Sequence, residues 1–199
     1  MQTHVFYWAL MAIIAVAYFM PGPRTELAQA EIIYIEQDCA MDVEQALRKE
    51  RILNKIIKLR PTIDRETANE IAIAVADVSL QNDVDPNLLL AIAWTESNLN
   101  PDARGNAGEY GLFQIMPTWA NELSFVDHPE QLQEIETNVR AGGYIYTTYY
   151  GQLGNNKRLA LTAYNRGLQN VKNDLHTGEN PENGYAALVM VHYDMVRRY

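Results

Sequence analysis

Asp85-Pro86-Asn87-Leu88-Leu89-Leu90-Ala91-Ile92-Ala93-Trp94-Thr95-Glu96-Ser97 is the stretch that decides how this 199-residue chain reads. Asp85 carries the short acceptor side chain that caps a helix start. Pro86 suits the first helical position, where its missing N–H is no loss. Leu88 to Trp94 is apolar throughout, so a helix over 87–97 ends on Glu96 and Ser97, beside a loop from Asn98 to Tyr110 rich in Gly and Asn. A carboxylate so placed invites partial burial, and burial raises a carboxyl pKa by disfavouring the charged form. A Glu kept protonated near neutral pH can give its proton to a leaving oxygen. By position alone, though, a capping or surface-pairing role for Glu96 is the commoner outcome.

Outward from that helix the signals stay helical. Asp64-Arg65-Glu66-Thr67 opens a run through Ile71, Ala72, Val75, Ala76 and Leu80, and further helices are expected near 117–123, 127–150, 157–164 and 184–198. No alternating apolar and polar stretch suggests a sheet, and no repeat is visible. The expected fold class is all-α, with room for a short β-hairpin in the Gly-rich loop.

Toward the N-terminus, the first 23 residues hold no Lys, Arg, Asp or Glu, and Val5 to Met20 (VFYWALMAIIAVAYFM) is continuously apolar. Sixteen helical residues span about 24 Å, just under a bilayer core of ~30 Å. The expectation is an N-terminal membrane helix over 1–23. Ala28-Gln29-Ala30 resembles a signal-peptidase site, so a cleaved signal stays open beside the favoured anchor. Residues 24–60 read as a linker followed by an amphipathic helix, with Val43, Leu47, Ile52, Ile56 and Leu59 at helical spacing and Pro61 ending it. The catalytic domain is expected over 61–199.

Composition narrows the class. The net charge is -9; residues 1–60 carry 7 basic and 7 acidic side chains, and residues 61–199 carry 9 and 18. An acidic domain is a poor nucleic-acid partner. Cys39 is the single cysteine, so no intrachain disulfide forms, and Gln37-Asp38 before it do not suit a lipoprotein site. His4, His128, His176 and His192 are scattered without metal-ligand spacing, and no metal or other cofactor is expected.

Three motifs in order reverse the odds on Glu96. They are Glu96-Ser97-Asn98-Leu99-Asn100-Pro101, then Gly111-Leu112-Phe113-Gln114-Ile115-Met116-Pro117, then Ala163-Tyr164-Asn165-Arg166-Gly167. Together they resemble the soluble lytic transglycosylase family of the lysozyme-like superfamily, whose pattern is E-S-x-x-x-P, G-L-x-Q-x-M-P and A-Y-N-x-G. The likeness runs from about Arg65 to Arg198 and takes in Thr137-Asn138-Val139-Arg140-Ala141-Gly142-Gly143-Tyr144. It implies a lysozyme-like transglycosylase domain that cuts the MurNAc–GlcNAc β-1,4 bond of peptidoglycan and leaves 1,6-anhydroMurNAc ends.

By the same resemblance Glu96 is the single catalytic acid and later base. Ser97 would orient its carboxylate or touch the sugar. Gln114 and Met116 would line the glycan groove, and Tyr164 would donate to Glu96 or to substrate. Asn165 would hold the loop first and contact glycan second, and Tyr185 would line the groove. Tyr110, Trp119, Tyr146, Tyr149 and Tyr150 are expected in the core rather than stacked on sugar. The loop Arg104-Gly105-Asn106-Ala107-Gly108-Glu109-Tyr110 departs from the Ser and Gly-Ala that many family members carry.

The nearest alternative is a lysozyme-type muramidase, which needs a second carboxylate. Asp102 and Glu109 are its candidates, whereas goose-type lysozymes commonly carry Asp where Met116 stands. A non-catalytic, membrane-tethered glycan-binding protein is the alternative of another class. The implied partners are peptidoglycan strands and, through the N-terminal helix, a membrane. The implied place is the periplasmic face of the inner membrane, or a virion membrane for a phage-encoded chain, with envelope or virion assembly partners open.

Overall fold

The computed structural model describes residues 23–199, so the apolar run from Val5 to Met20, and the membrane helix expected from it, lie outside the described residues. Among the described residues no helix is long and apolar enough to cross a membrane. Seven α-helices follow in order: α1 (Pro23–Leu59), α2 (Arg65–Asn82), α3 (Pro86–Ser97), α4 (Ile135–Gln152), α5 (Lys157–Arg166), α6 (Leu168–Thr177) and α7 (Tyr185–Arg197). Two short 3₁₀ turns, Pro117–Asn121 and Pro129–Gln133, lie between α3 and α4. No strand forms among the described residues. The expected hairpin is reduced to two isolated antiparallel bridges, Arg104 with Tyr110 and Tyr110 with Ile115.

The chain divides into two compact units, residues 1–48 and 49–199. Helix α1 is already helical from Pro23, so the stretch read as a linker has helical backbone. Its expected apolar stripe does not act as one. Val43 and Leu47 in the first unit are exposed, while Ile52, Leu53, Ile56 and Leu59 in the second are buried in its core.

Helix α3 is the centre of the second unit. Every residue from Leu88 to Ala93 is buried, which is why that segment has no polar face: it has neighbours on all sides. Asp85 caps it by accepting from the Asn87 N–H at 2.8 Å, and Asn98 ends it in the left-handed conformation. Helix α7 runs antiparallel to α3 and is laced to it at both ends. Near its start the Tyr185 hydroxyl donates to Glu96 Oε1, and near its end the Tyr193 hydroxyl donates to Asp85 Oδ2, each at 2.5 Å.

Helices α2 and α4 close in through small residues. A Cβ on Gly143 would lie 2.4 Å from Val78 Cγ1, and one on Gly142 would lie 2.2 Å from Phe113 Cδ1. Any larger side chain at either position would push α2 or the Gly-rich loop away. Helix α6 was not anticipated: its sequence LQNVKNDLHT buries only Val171, so it lacks the apolar stripe by which a helix is read.

Candidate active site

Glu96 sits one residue from the end of α3, where the helix meets the loop 98–116. It is partly buried, and its carboxyl is pushed above its ordinary value, first by desolvation. The Tyr185 hydrogen bond pulls the other way by favouring the carboxylate, and the negative charge of Glu109 adds to the upward push. The outcome is an acid with a raised pKa held in one orientation by a phenol. Burial and the nearby Glu96 charge keep the Tyr185 hydroxyl protonated, so it serves as a donor.

The two tyrosines divide the work differently from the sequence expectation. Tyr164 donates to the Phe113 carbonyl at 2.9 Å. Its hydroxyl is also pushed well up, by burial and then by the charge of Glu96, so it stays protonated beside the acid while bonded to the loop. Tyr185, read as a groove-lining residue, is the side chain in contact with Glu96. Ser97 does not orient Glu96 either. Its hydroxyl lies 3.0 Å from the Ala93 carbonyl and 2.9 Å from the Leu112 carbonyl, and accepts from the Asn100 N–H at 3.1 Å. That makes Ser97 the rivet between the end of α3 and the Gly111–Pro117 segment.

The segment itself is held in a tight, partly left-handed path. Gln114 has φ +46°, outside the region a residue with a Cβ prefers. Its own side chain stabilises the turn: Nε2 donates to the Gly111 carbonyl at 2.8 Å, the same carbonyl that accepts from its N–H at 3.2 Å. The remaining amide oxygen points over Gly105, where a Cβ would lie 2.8 Å from it and 2.0 Å from Glu109 Oε2. Gly105 is thus the floor on which the Glu109 carboxylate and the Gln114 amide converge, and Ala107 N–H holds Glu109 Oε2 at 3.0 Å. Asp102 is exposed; of the two loop carboxylates only Glu109 is among the charges acting on Glu96. Met116 is 36% exposed.

Asn165 and Arg166 work on the turn that launches α7. Asn165 Oδ1 accepts from Asn183 Nδ2 at 2.7 Å, and Asn183 Oδ1 accepts from the Tyr185 N–H at 3.1 Å. Arg166 pairs with Asp174 at 2.6 Å and donates to the Pro181 carbonyl. Through these contacts the Ala163–Gly167 motif positions Tyr185, and Tyr185 positions Glu96.

One residue that motif reading passed over is central here. Asn138, on α4 and 1% exposed, accepts from the Phe113 N–H at 2.8 Å and donates to the Tyr110 and Leu132 carbonyls at 2.7 and 2.6 Å. The only sequence signal was its place in the 137–144 stretch, which says nothing of the clamp.

A model of the Transglycosylase SLT domain matches residues 74–185, more than half of the chain and the whole of this site. The chain belongs to the SLT transglycosylase domain family. Among its relatives is the soluble lytic murein transglycosylase of Salmonella typhimurium, 33% identical over a 123-residue alignment, with 59% of this chain and 19% of that protein covered. The SLT chain therefore spans about a fifth of the length of that curated relative. Its fold is similar to two solved structures. One is an inactive Glu-to-Gln mutant of the lytic transglycosylase Slt from Pseudomonas aeruginosa (TM-score 0.57, 23% identity, 63% of this chain and 23% of that one). The other is the 70 kDa soluble lytic transglycosylase of Escherichia coli (TM-score 0.58, 23% identity, 78% and 30%).

Among the described residues no group of His, Cys, Asp and Glu could hold a metal ion. A cavity of about 570 Å³ between α2 and the start of α4, bordered by Glu70, Asp77, Glu134 and Arg140, shares no residue with the Glu96 site.

Proposed function

We propose that this SLT domain is a peptidoglycan lytic transglycosylase that cleaves the MurNAc–GlcNAc β-1,4 bond, with Glu96 as its single acid and base. The observation that carries the reading is the partly buried Glu96 carboxyl, raised by desolvation and bonded to Tyr185 Oη. Protonated Glu96 gives its proton to the glycosidic oxygen as the bond to the MurNAc anomeric carbon breaks. The Glu96 carboxylate then takes the proton of the MurNAc 6-hydroxyl while that oxygen closes on the anomeric carbon. Glu96 ends protonated as it began, and the products are a GlcNAc-terminated strand and a 1,6-anhydroMurNAc end. No water is consumed, so no second carboxylate is required to activate one. The relatives known as lytic transglycosylases, and the inactivity of the Glu-to-Gln mutant of Slt, support carrying this chemistry to the chain.

The muramidase reading keeps one specific observation in its favour, the Glu109 carboxylate close enough to act on Glu96. Hydrolysis would use Glu109 to activate water on the far side of the bond. Digestion of purified cell-wall sacculi separates the two by mass, because anhydro ends are one water lighter than reducing ends. Anhydro ends are expected, and reducing ends alone would overturn the proposal. Glu96→Gln is expected to abolish release; persistent release would remove Glu96 from its role. We further infer from the sequence that the Val5–Met20 run tethers the enzyme at the cell envelope, holding it near its polymer.

A further inference from the structure

Helix α7 carries apolar side chains on two faces, and the core uses one of them. Ala186, Val189 and Val196 are buried. On the other side Leu188 is 48% and Val191 65% exposed, with Met195 half-buried one turn further on. The spacing 188, 191, 195 puts these three on one stripe of the helix. From Ala186 to Val191 the sequence AALVMV has no polar residue, as α3 has none from Leu88 to Ala93. In α3 burial on every side accounts for that pattern; in α7 one side faces out.

The stripe runs into a basic corner. Arg198 lies three residues past Met195, at the end of α7, and beside it stands the α1 row Arg51, Lys55 and Lys58, spaced as i, i+4 and i+7. Lys55 Nζ donates to the Val196 carbonyl at 2.7 Å, which joins the row to α7. Lys58 Nζ lies 5.8 Å from the centre of the Tyr199 ring, which is itself 49% exposed. The exposed carboxylates next to these cations in sequence are Glu50 and Asp194. Over residues 61–199 acidic side chains outnumber basic ones 18 to 9, so this corner reverses the charge of the domain around it.

Aliphatic side chains, a tyrosine and a row of Lys and Arg on one face are the groups that settle at the headgroup level of a bilayer. A soluble anion would match the cations but leave Leu188 and Val191 in water. The same chain holds the apolar run Val5–Met20, long enough to enter a membrane. A tether of that kind raises the local concentration of the face at the lipid surface, so a weak contact suffices.

We propose that the outer face of α7, together with the α1 row Arg51–Lys58, docks on an anionic phospholipid surface. The proposal draws on the tether reading for its local concentration and is independent of the glycan chemistry. Because α7 begins at Tyr185, the residue bonded to Glu96, and is about 20 Å long, docking holds the acid close to the headgroups.

The test reconstitutes the full chain in vesicles of phosphatidylcholine, alone or mixed with phosphatidylglycerol. Val191→Cys in a Cys39→Ser background takes an environment-sensitive fluorophore, which spin-labelled lipid quenches on contact. Gln133→Cys, on the exposed end of the second 3₁₀ turn, is the reference. Quenching at position 191 is expected in the anionic vesicles, weak in the neutral ones and absent at position 133. Lys58→Ala with Arg198→Ala should lower the ratio of docked to free domain about 25-fold, at roughly fivefold per cation. High salt should act in the same direction on the unaltered charges, a readout that needs no variant to fold. No quenching at 191 in anionic vesicles overturns the proposal, as does equal quenching in both vesicle types. Indifference to both the paired alanines and salt overturns it too. So does a fluorescence change at 191 that follows protein concentration and not lipid, which would make the face a contact between copies. Flotation reads the tether separately: release of the chain from neutral vesicles, with quenching at 191 kept in anionic ones, would refute the tether and leave the docking face standing.

Discussion

Replacing Asn138 by alanine tests how the Gly111–Pro117 loop is held to the helices. The side chain makes three hydrogen bonds to the backbone, and two of its partners belong to the loop that carries Gln114 and the Phe113 carbonyl. Asn138→Ala strands the Phe113 N–H and the Leu132 carbonyl in a site that is 1% exposed, and takes from the Tyr110 carbonyl one of two donors, leaving it the Ile115 N–H at 2.9 Å. A stranded buried group costs about 1–3 kcal/mol, and water entering the vacated space recovers part of it, so a total loss of about 3–5 kcal/mol follows. Against a typical domain stability of about 5–15 kcal/mol this is large. With m near 2 kcal/mol/M, the urea midpoint should fall by about 1.5–2.5 M at unchanged slope, read by far-ultraviolet circular dichroism. Asn138→Asp sharpens the test. It keeps the volume and the acceptor for Phe113 but turns the donor pair into an oxygen facing two carbonyls. It should be at least as damaging near neutral pH and partly relieved in acid, where a protonated carboxyl can donate one bond. A loss under about 1 kcal/mol for the alanine variant, or a wild-type-like aspartate variant, would refute the clamp.

Tyr185→Phe removes the hydrogen bond that favours the Glu96 carboxylate, so the Glu96 pKa, already raised, should rise further. An acid that stays protonated to higher pH moves the alkaline fall of the pH–rate profile upward; a downward move would contradict the assignment. Gly142→Ala sets two effects against each other. Alanine is better than glycine in a helix by about 1 kcal/mol, but its Cβ would lie 2.2 Å from Phe113 Cδ1, on a ring with no exposure and no space to retreat. Overpacking of about 1–3 kcal/mol should win, lowering the melting temperature, whereas Gly151→Ala on the same helix meets nothing within 4 Å and should raise it.

The parts of this protein legible in its sequence are those governed by near neighbours along the chain. The Asp85-Pro86 start of α3 and the Asp64 start of α2 rest on side chains that reach two or three residues. The motif order around Glu96, Gln114 and Tyr164 pointed to the family because each motif is a short run of adjacent residues that can be read without the fold. Helix α6 was missed for want of an apolar stripe, and the hairpin in the loop was overestimated because its glycines make turns while only two bridges close.

What the sequence determined by itself was the all-α class, the central apolar helix and the carboxylate at its end. What tertiary structure alone decided was the company that carboxylate keeps. Tyr185 reaches Glu96 across 89 residues, Tyr164 turns instead to Phe113 across 51, and Asn138 clamps the Phe113 N–H across 25. Such contacts depend on how helices stack, and no local propensity encodes them. Glu96 owes its raised pKa to the same stacking, since desolvation is a property of everything packed around a group and not of its neighbours in sequence.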